Sequence, residues 1–218
     1  MQRRFSAVIF DFGGVITGSP FEAFARFEAE RGLPEGFIRR INATDPDSNA
    51  WARLERSEID LTAFDALFAE EAAAMGHRVG GADVISLIAG EVRPEMVAAL
   101  DRLTGERYRI GCITNNMRGS GGPGMARDAL AASRYADVFA RFEEIVESAD
   151  SGLRKPDPRI YLLMCEKLGL QPRECVYLDD LGINCKPAAA LGMHAIKVTN
   201  PLQALQDLSR ILQLDLLG

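Results

Sequence analysis

Phe10-Asp11-Phe12-Gly13-Gly14-Val15 is the stretch on which the reading of the whole chain turns. Phe5-Ser6-Ala7-Val8-Ile9 precedes it, a run of apolar, β-favouring residues that reads as a buried parallel strand. Such a strand delivers Asp11 to the carboxyl edge of an open α/β sheet, where folds of this kind place their ligands. Gly13 and Gly14 then let the backbone turn sharply and leave room for a ligand to approach. One aspartate after one strand is equally well a turn residue. The functional reading gains weight because later stretches end in matching chemistry at the same edge.

The chain has 218 residues, 47% of them apolar and 26% charged, which suits one large globular domain or a core carrying a smaller insert. A net charge of −6 argues against nucleic acid as the main partner. It leaves a small phosphorylated substrate open, since a bound Mg²⁺ can reverse the local sign. The four cysteines, Cys112, Cys165, Cys175 and Cys185, lack the short paired spacings of a zinc site and read as small core residues of a reducing compartment. Met1-Gln2-Arg3-Arg4 is followed by too short an apolar run for a signal peptide, and no stretch could span a bilayer, so a cytoplasmic protein is expected.

From residue 17 to 90 the patterns are helical, with segments at Phe21–Arg31, Glu35–Ile41, Ser48–Arg56, Leu61–Met75 and Ala82–Ala89. Ser19-Pro20 starts the first and Gly32 stops it, while Thr44-Asp45-Pro46-Asp47 reads as a turn with an N-cap. Strand and helix alternate afterwards. Strands are expected at Tyr108–Ile113, Phe142–Val146, Cys175–Leu178 and Ala195–Val198, and helices at Pro94–Arg102, Met125–Ala131, Arg159–Leu168, Ile183–Leu191 and Pro201–Leu214. Arg118–Gly124 is a glycine-rich loop, read as a surface linker or a mobile rim of the site. The expected fold is therefore α/β, a Rossmann-like parallel sheet of residues 1–16 and 91–218, with an all-helical cap of residues 17–90 inserted after the first strand.

Strand ends and adjoining loops supply Asp11, Thr114 with Asn115, Lys155, and Asp179 with Asp180. Adjacent carboxylates at one edge repel unless a cation or proton intervenes. With Asp11 they make an oxygen-rich site that suits Mg²⁺. Such a set permits phosphoryl transfer through aspartate: Asp11 attacks a phosphorus whose charge is offset by Mg²⁺ and Lys155, while Thr114 and Asn115 donate hydrogen bonds to the phosphoryl oxygens. Water then frees the enzyme.

This set resembles the four motifs of the haloacid dehalogenase superfamily: an Asp-rich first loop, a Ser/Thr second, a Lys third and an acidic pair fourth. Val146-Glu147-Ser148, Lys155-Pro156-Asp157-Pro158-Arg159-Ile160-Tyr161, Leu178-Asp179-Asp180-Leu181-Gly182-Ile183-Asn184 and Leu191-Gly192-Met193 resemble one branch of it. That branch holds the phosphatase domain of soluble epoxide hydrolase and the domain at the start of certain acyl-CoA dehydrogenases. The resemblance implies a Mg²⁺-dependent hydrolase with Asp11 as nucleophile and metal ligand. It implies the Gly13 carbonyl and the Asp179-Asp180 pair (Asp180 directly) at the metal, and Asn184 orienting the pair from behind. Gly13, Gly14, Thr114, Asn115 and Lys155 would surround the phosphoryl group.

One departure matters. In phosphatases of this superfamily the residue two after the nucleophile is a second Asp, which protonates the leaving alcohol and activates water; here it is Gly13. Substrates with good leaving groups, such as aryl or acyl phosphates, would suffer least from its loss. Dehalogenases of the superfamily dispense with Mg²⁺, which the retained acidic pair counts against. Phosphonatases need a cap lysine, and the first lysine of this chain is Lys155. Two other functions stay open: a module that holds a phosphorylated ligand without turnover, and a non-phosphate hydrolase using Asp11. Arg53, Glu55, His77 and Arg78 could face the site from the cap, but a solvated cap surface is the commoner place for such residues, and none is assigned.

Overall fold

The computed structural model of the chain describes residues 3–116 and 129–217. Five parallel strands, β1 (Ala7–Phe10), β2 (Arg109–Thr114), β3 (Glu144–Glu147), β4 (Cys175–Asp179) and β5 (His194–Lys197), form one sheet in the order β3-β2-β1-β4-β5. The chain leaves β1 toward one side and returns later to the other, which makes the carboxyl end of β1 the switch point of the sheet. In register, Phe10 pairs with Cys112 and with Leu178, and the Asp11 N–H extends the ladder to the Leu178 carbonyl at 2.8 Å.

Alternation along β1 sorts its side chains into two layers. Val8 and Phe10 pack with Met96, Leu100 and Leu103 of α6 (Pro94–Gly105) and with Leu205 and Leu208 of α11 (Pro201–Leu212). Ala7 and Ile9 pack with Ile160, Tyr161 and Met164 of α9 (Pro158–Lys167) and Ala188 of α10 (Gly182–Ala190). The sheet is thus covered on both faces, as its buried central strands β1, β2 and β4 require.

Between β1 and α6 lie α1 (Pro20–Arg31), α2 (Phe37–Ala43), α3 (Ala50–Glu55), α4 (Leu61–Ala74) and α5 (Gly81–Ile85), which bury a cluster of their own around Phe24, Phe37, Ile41, Phe64 and Phe68. The two chain crossings into this helical insert run side by side. Thr17 bridges Val92, the Gly18 N–H reaches the Glu91 carbonyl at 2.9 Å, and a Cβ on Gly90 would lie 2.4 Å from the Gly18 carbonyl oxygen.

Several helix bounds differ from expectation. α2 begins at Phe37 rather than Glu35, since the Glu28 carboxylate takes the Gly36 and Ile38 N–H groups at 2.7 and 2.9 Å. The cap of α3 is Asn49, whose Oδ1 accepts from Ala52 N at 2.8 Å, and not a residue of the Thr44–Asp47 turn. α5 ends at Ile85, with Leu87 and Ile88 bonding three residues back and breaking the α-ladder. Phe142 packs into the core against Phe10 before β3 starts. The short helix α8 (Ser148–Ser151) and a 3₁₀ turn at Pro172–Glu174 were not anticipated. Arg118–Gly124 and the start of the helix expected at Met125 lie outside the described residues, which resume in α7 (Ala129–Phe139). Cys112, Cys165 and Cys175 are buried and Cys185 half-buried. No described helix is long and apolar enough to cross a membrane.

Candidate active site

Asp11 ends β1 and caps the wide turn Phe12–Ile16, in which the Thr17 N–H bonds back to the Phe12 carbonyl at 3.1 Å. Its Oδ1 accepts from the Phe12 N–H at 2.7 Å and lies 2.7 Å from Lys155 Nζ; no described residue bonds Oδ2. Gly14 sits at φ +76°, and a Cβ there would fall 2.2 Å from Asp180 Oδ2, so glycine is what lets the turn pass the acidic pair. Gly13 is different: its φ of −68° suits any residue, and a Cβ there meets nothing within 4 Å. Arg93 braces the turn, donating to the Gly14 carbonyl at 3.0 Å.

Lys155 is 2% exposed, which an ammonium tolerates only when paired. Nζ sits 2.7 Å from Asp11 and 2.9 Å from Asp179. Burial alone would lower its pKa, but the two carboxylates more than reverse this and hold it above the ordinary lysine value.

Asp179 is saturated by the protein. Its Oδ1 accepts from the Leu181 N–H at 2.8 Å, its Oδ2 from Lys155 and from Tyr177 at 2.5 Å, and Asn184 Nδ2 lies 3.1 Å from both oxygens. The hydroxyl of Tyr161 in turn donates to the Asn184 carbonyl at 2.8 Å, with its ring edge-on to Tyr177. Asp180, by contrast, has one side-chain hydrogen bond among the described residues, from Ser19 at 3.4 Å.

Asp11, Asp179 and Asp180 can each offer an oxygen within 4.8 Å of the others. With all three carboxylates ionised, one ammonium would leave the centre two negative charges in excess. Burial pushes Asp180 up to about 6, with the Asp179 charge adding to it. Burial also holds Asp11 well above the carboxylate range, helped by Asp179 and Asp180 and opposed by Lys155. This donor set fits a hard divalent cation. Among the described residues, Asp11 Oδ2 takes no bond and the Asp180 carboxylate only the long one from Ser19, while Asp179 is spoken for.

A pH dependence follows. Asp180 moves from 3.8 to about 6 on folding and Asp11 moves the same way, so between these values the folded chain holds more protons than the unfolded one. Stability from these groups therefore falls as pH rises through that window. Thermal unfolding in EDTA should show that fall, reduced in Asp180→Asn. Mg²⁺ should raise the midpoint more at pH 7.5 than at pH 5; an equal rise at both would contradict it.

Thr114 ends β2, buried, two positions beyond the Phe10–Cys112 pair. Asn115 Oδ1 accepts the Lys155 N–H at 2.9 Å, and its Nδ2 donates to the Lys155 carbonyl at 3.1 Å. Asp11, Asn115, Lys155, Asp179 and Asn184 are thus joined by direct contacts, and Asp180 lies beside them with an oxygen within 4.8 Å of those of Asp11 and Asp179. Tyr161, Tyr177 and Arg93 were missed in the sequence. A tyrosine inside the apolar run Cys175–Leu178 was the available signal, since a buried hydroxyl needs a partner. Of the insert residues considered, Glu55 is 6% exposed and pairs with Arg154 at 2.6 Å. His77 packs edge-on to Phe37, and Arg78 is exposed.

A parallel sheet with a buried Asp–Lys–Asp centre at its switch point, under a helical insert, defines a hydrolase-type α/β protein. The sequence model of the family described as haloacid dehalogenase-like hydrolase matches residues 5–192, and the chain belongs to that family. It is 35% identical over 218 residues to acyl-CoA dehydrogenase family member 10 of Mus musculus, covering 96% of this chain and 19% of that protein. It is 29% identical to bifunctional epoxide hydrolase 2 of the same species, covering 93% of this chain and 38% of that protein. The chain spans well under half the length of these relatives. A HAD family enzyme from Bacteroides thetaiotaomicron, crystallised with magnesium and inorganic phosphate, shares the fold with a TM-score of 0.57 at 19% identity, covering 88% of this chain and 93% of that one.

Proposed function

We propose that the chain is a Mg²⁺-dependent phosphohydrolase that acts on a small phosphorylated metabolite through phosphorylated Asp11, with residues 17–90 as a cap over a core of 1–16 and 91–218. The observation that carries this is the Asp11 carboxylate itself. One oxygen is pinned by Phe12 and Lys155 while the other has no bond from a described residue, in a centre of three carboxylates with one ammonium. The similarity to epoxide hydrolase 2 and to an enzyme crystallised with magnesium and phosphate supports the same reading.

In this reading Asp11, the Gly13 carbonyl and Asp180 hold Mg²⁺, which when bound offsets the charge of the phosphoryl group. Asp179 takes no direct part there; clamped by Tyr177, Asn184 and Leu181, it keeps Lys155 in place. The free oxygen of Asp11 attacks phosphorus, and the bond to the leaving group breaks with its electron pair. Lys155, Thr114 and Asn115 stabilise the phosphoryl oxygens. Water then attacks the same phosphorus and releases Asp11. With Gly13 in place of an acid, both proton transfers fall to solvent and substrate. Acyl and aryl phosphates, whose leaving groups need no proton, are therefore the favoured class.

Turnover of acetyl phosphate beside an alkyl phosphate, in Mg²⁺ and in EDTA, tests this. Mg²⁺-dependent turnover favouring acetyl phosphate is expected. Turnover surviving in EDTA would point to the non-phosphate hydrolase. Mg²⁺ and phosphate binding without any turnover would point to a ligand-holding module, a reading that Gly13 favours.

A further inference from the structure

Glu55 closes α3 and turns into the core, 60 residues from Asn115 and 99 from Arg154 in sequence. Its Oε1 is held within the insert by Trp51 Nε1 at 2.9 Å. Its Oε2 takes Arg154 Nε at 2.7 Å, Arg154 Nη2 at 2.6 Å and Asn115 Nδ2 at 3.3 Å. Arg154 Nη1 also goes to the insert, donating to the Pro46 carbonyl at 2.9 Å. The side chains of Glu55 and Arg154 are only 8% and 18% exposed.

Asn115 matters because its amide clamps Lys155 at two points, N–H and carbonyl. An amide flip would set its oxygen against both the Lys155 carbonyl and the Glu55 carboxylate, so Glu55 adds to the Lys155 backbone in holding the clamp the right way round. Arg154, the neighbour of Lys155, is held by the same carboxylate oxygen.

We infer that Glu55 is a positioning residue: from the insert it orients Asn115 and Arg154, and through them seats Lys155 for phosphoryl binding only while α3 is docked on the core. The functional half of this rests on the phosphohydrolase reading above. Insert docking and phosphate binding then favour each other, since coupling between sites is reciprocal.

Native protein, Glu55→Ala, the near-isosteric Glu55→Gln and Ser57→Ala separate this role from a plain interface ion pair. Ser57 donates to the Ala149 carbonyl at 3.3 Å, a second contact between insert and core, and serves as control. Glu55→Ala should speed hydrogen exchange of the Lys155 amide. With Mg²⁺ present it should weaken inorganic phosphate binding about tenfold and raise KM for acetyl phosphate more than it lowers kcat. Mg²⁺ affinity should stay put. Glu55→Gln should recover part of each effect, because its amide oxygen still accepts from Asn115, and Ser57→Ala should match native. The inference is overturned if Lys155 exchange in the Glu55 variants is no faster than in Ser57→Ala, or if their phosphate affinity equals native. If native protein binds no phosphate with Mg²⁺, the phosphohydrolase reading fails by itself, and Lys155 exchange still decides the positioning role.

Discussion

Asp11→Asn is expected to cut Mg²⁺-dependent turnover of acetyl phosphate by about 10⁴-fold or more, the scale on which removing a covalent nucleophile acts. An amide oxygen can still accept from the Phe12 N–H, so the turn after β1 should keep its shape. Lys155 keeps Asp179 as partner, so no ammonium is stranded. The variant also removes one charge from a centre in which burial opposes ionisation of Asp11, and its metal-free form should unfold no sooner than native at pH 7.5. Rapid acid quench followed by mass measurement should find phosphate on a peptide containing Asp11 in native protein and none in the variant. Unchanged turnover of every phosphate in a broad panel would remove Asp11 from the chemistry.

Gly13→Asp is expected to act in the other direction. A general acid–base group contributes typically about 10² to 10⁴-fold. Alkyl phosphate hydrolysis should rise by that order, equivalent to about 3 to 5 kcal/mol of barrier. The backbone is ready for it: Gly13 sits at φ −68° and ψ 131°, an extended conformation open to L-residues, and a new Cβ meets nothing within 4 Å. Acetyl phosphate, whose leaving group needs no proton, should gain far less. The ratio of the two rates is therefore the quantity to measure. An equal gain on both substrates would mean that the new carboxylate acts on something other than leaving-group protonation. No gain on either would mean that the native chain lacks more than this one group. The same change at Gly14 would fail for a local reason, since its positive φ and its closeness to Asp180 both demand glycine.

Much of the fold was legible in the sequence because it rests on local patterns. Each expected strand appears within two residues of its observed bounds; the central strands β1, β2 and β4 show because a strand buried on both faces needs a near-continuous apolar run wherever it lies. The helices between residues 17 and 90 show for the same reason, each with an apolar stripe turned into the cluster around Phe64 and Phe68. Helix starts were less legible. Glu28 caps α2 from the preceding helix, a contact with no signature at the start of α2 itself.

The sequence by itself determined the residue types at the edge of the sheet: Asp11, Thr114, Asn115, Asp179 and Asp180 each stand on or beside a strand end, and Lys155 stands in the loop before α9, where a carboxyl edge collects them. Gly13 in place of an acid is a sequence fact as well. Only the tertiary structure decided how the charges are divided. It set Asp179 among Tyr177, Asn184 and Lys155, left Asp180 with one side-chain hydrogen bond among the described residues, from Ser19, and turned Glu55 out of the insert onto Arg154. The physical reason is that a strand or helix is specified by neighbours a few residues away. A buried charge, by contrast, takes its role from whichever partners the fold brings within hydrogen-bond reach, here from 24 to 144 residues along the chain between Lys155 and its two carboxylates.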